Sequence, residues 1–205
     1  MTRTELSEIV KSKIDELTPF DGGLVLITAP GNTGNNPIET YIDQFLDESS
    51  KETLLEASHH VLPLTVLSTI AYDLTNKKAT ITLPTDYLRV GYLKFSSWYQ
   101  SVYSALYPGD PDYLKQFNRW LRGSKVRPAA TWVNEAGIAK LICYGVTSST
   151  GNEAYYVAET AAEDMPDKLI DSLTWHCASQ TLQVFGKDKA SELAYTRYLK
   201  SLTLL

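Results

Sequence analysis

The chain has 205 residues, 43% of them hydrophobic and 21% charged, proportions that suit one folded domain, or one domain with an insertion, and exclude disordered and collagen-like classes. Nineteen basic groups against 24 acidic ones leave a net charge of −5, which argues against a protein dedicated to coating DNA. Two cysteines, Cys143 and Cys177, imply no disulfide framework, and nothing else points to an oxidising compartment.

The N-terminus is amphipathic and charged (Arg3, Glu5, Glu8, Lys11, Lys13), unlike the apolar core of a signal peptide. Leu6, Ile9, Val10, Ile14 and Leu17 recur at helical spacing, and Pro19 stops the run. Residues 21–36 read as a short strand-like run and a loop rich in Gly and Asn. A second helix is expected from Asn36, which can cap it, and Pro37, which fits the first helical position. Its apolar face is Ile38, Tyr41, Ile42, Phe45 and Leu46. Ser49-Ser50-Lys51-Glu52 resembles a capping box, so this helix is expected to restart or shift in phase toward His60 and to end at Pro63.

Between about residues 64 and 159 the β-favouring residues concentrate. Residues 65–72 and 78–83 read as a hairpin around Thr75-Asn76, followed by a strand over 87–95. Residues 98–107 fit a helix face through Tyr99, Tyr103 and Tyr107, but their density of β-favouring aromatic residues favours a strand. Residues 110–123 have the Asp-Pro start and Gly end of a short helix. Residues 126–133 and 138–144 pair across 134–137, and 153–158 add another strand. Helix returns at Pro166 with the face Leu169, Ile170, Leu173, Cys177, Thr181 and Val184, ends at Gly186, and a last helix covers 188–202.

The fold class expected is therefore α+β: a helical bundle from residues 1–64 and 160–205, with a β-rich insertion over 65–159 that carries one short helix. No segment is long and apolar enough for a bilayer: the best stretches, 24–27 and 61–72, are too short or too interrupted against the about 20 residues required.

Charge is unevenly spread. Residues 1–60 carry 4 basic and 11 acidic groups, net −7, whereas residues 77–127 carry 9 basic and 3 acidic groups, net +6. Such a split describes two solvated faces, or a self-complementary pair in which the acidic face of one subunit meets the basic face of the next.

Reactive chemistry is thinly represented. The loop at 29–35 lacks the Lys and Ser/Thr that a phosphate-binding loop places after its last Gly. His59-His60 and His176-Cys177 have no metal-ligand spacing, since neighbours on a helix diverge by about 100°. Cys143 lies in an expected strand with no base beside it, and no G-x-S-x-G elbow occurs. Asp43 and Asp47 lie one turn apart, as acidic groups of any solvated helix do. These readings assign no catalytic residue, no cofactor and no metal. The one charged cluster is Lys115, Arg119, Arg122, Lys125 and Arg127 with Phe117 and Trp120 interleaved. On a helix, 115, 119 and 122 share a face. Nucleic acid would use such residues on phosphates with base stacking. The favoured alternative has Phe117 and Trp120 anchoring the helix to the sheet while the cations stay wet or meet acidic partners, which makes the cluster a candidate subunit or partner interface.

Leu83-Pro84-Thr85-Asp86-Tyr87-Leu88-Arg89-Val90, then Trp98, then Gln116-Phe117-Asn118-Arg119-Trp120-Leu121-Arg122-Gly123, then Arg127-Pro128 resembles, in the order of its pieces, the head–tail connector proteins of tailed phages. The likeness is closest to ring or adaptor proteins of crAss-like phages and spans roughly residues 47–128. The resemblance implies a non-enzymatic virion protein at the junction of capsid vertex and tail, made in the host cytoplasm. It implies a homo-oligomeric ring, usually a dodecamer, below the portal protein. Such a ring extends the channel through which double-stranded DNA passes without sequence-specific binding, and docks another tail or ring protein. Beside this stand local readings: Asp86 capping a turn after Pro84, Gly123 left-handed at a helix end, and Arg127-Pro128 opening an edge strand. Two rival readings are a tail-side ring or terminator, and a non-viral β-rich binding module.

Overall fold

The computed structural model describes residues 1–18 and 37–204. The strand-like run and loop expected over 21–36, the Asn36 cap and the 29–35 motif lie outside the described residues. The fold is α+β, with helices at both ends of the chain and a sheet-rich middle. The chain divides into two compact units: Met1–Leu62 with Thr160–Leu205, and Pro63–Glu159.

The first unit is helical. Helix α1 (Arg3–Leu17) opens with a reciprocal cap, in which Thr2 Oγ1 accepts from the Glu5 amide and the Glu5 carboxylate accepts from the Thr2 amide. It buries Leu6, Val10 and Ile14. Helix α2 (Pro37–Glu56) begins at Pro37 and runs unbroken through Ser49 and Ser50. The restart expected there does not occur, and the helix stops at Glu56, well before Pro63. Both serines are fully buried, and their hydroxyls serve tertiary contacts: Ser50 Oγ donates to the Thr160 carbonyl, and Ser49 Oγ lies 3.0 Å from His176 Nδ1. A short 3-10 turn (Ala162–Asp164) precedes α3 (Asp167–Val184).

Helix α3 packs against α1, α2 and α4 (Asp188–Thr203). A helix surrounded this way cannot keep a polar stripe for solvent, so it carries short hydroxyls that bond back to its own carbonyls: Thr174 to Ile170 and Thr181 to Cys177. Val184, expected on the packed face, is exposed; it is the last residue of the helix. Small residues let α4 approach closely. Ser179 and Ser191 exchange hydroxyl-to-carbonyl bonds of 3.0 and 2.9 Å, and Ala178 and Ala194 are fully buried. The turn between α3 and α4 uses Gly186 at φ 69°.

The second unit holds two sheets. Strands β1 (Thr65–Val66), β4 (Tyr87–Lys94) and β8 (Glu153–Ala158) form one, in the order β1-β8-β4. The other has the order β2-β3-β7-β6-β5, from β2 (Ile70–Asp73), β3 (Lys78–Thr82), β5 (Ala105–Leu106), β6 (Ala130–Glu135) and β7 (Ile138–Tyr144). Both sheets contribute to one core that includes Ile81, Leu93, Phe95, Trp98, Leu141 and Tyr156.

The expected strand over 65–72 is split: β1 pairs with β8, and only β2 forms the hairpin with β3. Asp73 closes that hairpin by accepting from the amide and side chain of Asn76. The β6–β7 hairpin turns through Ala136 and Gly137, both at positive φ, as a two-residue turn matching strand twist requires; β6 starts at Ala130, later than expected. Residues 98–107 form neither the strand nor the helix considered for them. They make a bridge at Val102 to Leu93 and the two-residue β5, while Trp98 turns inward and donates from Nε1 to the Tyr144 carbonyl at 2.8 Å. Among the described residues no helix is long and apolar enough to cross a membrane.

Candidate functional site

The segment between β5 and β6 is a long loop, not the helix expected over 110–123. Its only regular element is a 3-10 turn, Leu114–Phe117. Asp110, Asn118 and Ser124 divert the chain by competing for backbone amides. Asp110 accepts from the Tyr107 amide, Asn118 Oδ1 from the Trp120 amide, and Ser124 Oγ from the Arg127 amide. Each bond offers a turn in place of a continuing helix.

Gln116 organises the loop from within. It is buried, donates to the Asp112 carbonyl at 3.3 Å, and accepts from the Gly123 amide at 2.8 Å, so it ties the two ends of the 112–123 stretch together. Gly123 does not take the left-handed backbone expected of it. It is needed for close approach: a Cβ there would come within 3.0 Å of the Ala129 amide. The loop is then sewn to its neighbours, with the Tyr99 amide donating to the Lys125 carbonyl and the Ser124 amide to the Arg127 carbonyl. Gly145, at φ 76°, passes so close beneath that a Cβ would lie 2.8 Å from the Lys125 amide.

This backbone scaffold turns apolar side chains outward. Trp120 is 88% exposed, Leu114 77%, and Phe117, Leu121 and Val126 are also exposed. The anchoring of Phe117 and Trp120 to the sheet, favoured from sequence, is therefore overturned: the loop is held by Gln116 and backbone bonds, and the rings face solvent. Exposed apolar residues standing singly are ordinary, but this many on one loop make it the candidate interaction surface of the chain.

The cations are distributed around that surface. Arg119, Arg122 and Lys125 line a shallow cleft of about 400 Å³ with Trp120, Val126 and Lys77. Arg122 lies over the Tyr144 ring, 4.7 Å from its centroid, a cation–π placement that fixes the guanidinium. Lys115 does not join them; it pairs with Asp112. Arg127 also lies outside the cleft lining, exposed, with its backbone closing the turn at Ser124. The shared helical face of 115, 119 and 122 thus does not exist, yet 119, 122 and 125 converge by another route. Lys77 was missed from sequence. It sits in the β2–β3 turn at φ 53°, and its carbonyl accepts from the Val146 amide; the adjacent Asn76 is the one local signal for that turn.

Residues near the family-like motif play packing roles. Asp86 does not cap its turn; both carboxylate oxygens accept from the Tyr156 hydroxyl, at 3.1 and 3.2 Å. Pro128 precedes β6, which lies between β5 and β7 and is no edge strand. Asp43 and Asp47 both accept from Arg3, which also reaches Glu163, so they form a clip between α1, α2 and the 3-10 turn. Among the described residues no three His, Cys, Asp or Glu side chains gather in a way that could hold a metal ion. His176 sits between α2 and α4, with its ring 4.8 Å from that of Tyr198. Burial pushes its pKa below the usual histidine value, against the pull of Glu52, Glu56 and Glu48. Both thiols are buried.

No family model matches the chain, and no curated protein matches it.

Proposed function

We propose that this chain is a structural part of a tailed-phage particle: a connector subunit that assembles with copies of itself into a ring below the portal protein. In this reading the ring extends the DNA channel and docks the next tail or ring component. The single observation that carries it is the loop between β5 and β6, a segment held by backbone bonds and Gln116 whose exposed apolar side chains serve no internal core. A protein that folds a Trp, a Phe and three aliphatic side chains into solvent, framed by arginines, is shaped for a partner. The ordered succession of residues 83–128 supplies the kind of partner, because the resemblance it carries is to connector rings.

The aliphatic members of the set, Leu114, Leu121 and Val126, favour protein over nucleic acid as the occupant. Stacking platforms for bases rely on rings and cations, whereas aliphatic side chains gain chiefly by burial in a protein groove. Electron microscopy of the purified particle, or of the chain mixed with its portal ring, tests the reading. Ring density at the capsid vertex is the expected result. A particle without the chain at the vertex, together with no binding to portal at any concentration, overturns it.

A further inference from the structure

The helical unit carries 9 basic and 17 acidic groups, net −8, and the β-rich unit 10 basic and 7 acidic groups, net +3. The acidic excess has a definite location. Glu48, Glu52 and Glu56 follow one another at single-turn spacing along α2, within electrostatic reach of His176, which Ser49 of the same helix touches. Helix α4 borders the same place: Tyr198 donates to Glu56 at 2.8 Å, and the rings of Tyr195 and Tyr198 flank His176. Tyr195 and Leu199 are exposed there, at 41% and 43%, whereas Ala194 and Tyr198 of the same helix are fully buried. Glu192 lies three residues before Tyr195, on the same side of the helix, and is exposed. No basic side chain pairs with Glu48, Glu52 or Glu192 among the described residues.

This face is the chemical inverse of the cationic loop. One presents unpaired carboxylates around an exposed Tyr and Leu; the other presents Arg119, Arg122 and Lys125 around an exposed Trp. We propose that the α2/α4 face of one copy receives the loop between β5 and β6 of a second copy, with the cations against the carboxylates and Trp120 against Tyr195 and Leu199. The inference rests on the connector reading for the presence of copies side by side, and it adds which two surfaces meet. Because loop and face are different surfaces, the contact is heterologous: each copy has one of each to offer, and the chain of contacts closes into a ring when the rotation permits. Charge complementarity sets register and excludes the like-charged pairings, loop on loop and face on face.

Sedimentation velocity of the full chain tests this with two charge-reversed variants, one carrying Arg119→Glu and Lys125→Glu, the other Glu48→Lys and Glu192→Lys. All four positions are exposed, and circular dichroism verifies that each variant folds. Each variant alone is expected to self-associate at least about tenfold more weakly than the wild type, with the wild-type association weakening as salt rises. An equimolar mixture of the two is expected to recover assembly, because the reversed loop of one then meets the reversed face of the other while their native surfaces also match. A mixture that stays as dissociated as its components overturns the proposal. So do variants that assemble like the wild type, and a wild type that remains monomeric up to about 1 mM, a concentration at which even contacts near −4 kcal/mol register. Binding of a short duplex DNA that is lost with the reversed loop, without any self-association, also overturns it and assigns the loop to nucleic acid. A negative result of this kind leaves the connector reading to the particle images, which decide it separately.

Discussion

Trp120 and Trp175 show how differently one residue type can be used. Trp175 is 8% exposed and its ring meets two cations, Lys13 at 4.3 Å and Arg197 at 4.7 Å from the centroid, and Lys13 is further held by Asp171 and Thr174. Removing that ring forfeits packing and both cation contacts, so Trp175→Ala is expected to destabilise the chain by about 3–5 kcal/mol in urea unfolding. Trp120→Ala is expected to leave the unfolding free energy within about 0.5 kcal/mol of wild type and to weaken self-association. Gly145→Ala introduces strain at positive φ and a contact with the Lys125 backbone; a loss of about 1–3 kcal/mol is expected, with hydrogen exchange at 124–127 rising. The two thiols make a third residue-scale expectation. Burial lifts Cys143 above the ordinary thiol range and Cys177 to about 12, so neither should react with an alkylating reagent at pH 8 until the chain unfolds. The tryptophan distinction is not visible in residue type alone, since the same side chain is buried at 175 and exposed at 120.

Elements with a clear period were legible, and those decided by long-range contacts were not. The strand over 153–158 and the pairing of 138–144 with the strand before it read directly from alternation and a Gly-containing turn. The α2 restart was misread because Ser49-Ser50-Lys51-Glu52 and Thr2-Arg3-Thr4-Glu5 present the same local pattern, and only the second begins a helix. What separates them is tertiary: Ser49 and Ser50 have buried partners on other elements, and the apolar face continues through Leu54. The loop between β5 and β6 was misread as helix because Asp-Pro and Gly look like helix ends. The side chains of Asp110, Asn118 and Ser124 instead claim the amides, and the buried Gln116 rewards the irregular path. Of the five cations grouped from sequence, Arg119, Arg122 and Lys125 meet at the cleft through the loop, and Lys115 and Arg127 do not. Helix packing also makes a pH expectation. His176 has a pKa lowered by burial from 6.5, so the unfolded chain binds its proton more tightly than the folded one. Stability then falls as pH drops below 6.5, and the melting temperature should decline over that range. His176→Gln should flatten the decline, measured against wild type at constant ionic strength.

At the scale of the whole molecule, the fold class was legible because β-favouring residues are segregated in the middle of the chain and helical periods at its ends. The partition of charge was legible too, but not its geometry, since sequence sets α2 and α4 far apart and only their shared packing on α3 relates them. The order of elements also bears on how the chain is made. The β-rich unit is a single uninterrupted stretch, Pro63–Glu159, whereas α1 and α2 precede it and α3 follows it. During synthesis, Leu6, Val10, Ile42 and Leu46 therefore precede their α3 partners, which start at Asp167, by more than a hundred residues of chain. A nascent chain of this kind is dependent on its own far end: the first helices wait, greasy and uncovered, for the last ones to arrive.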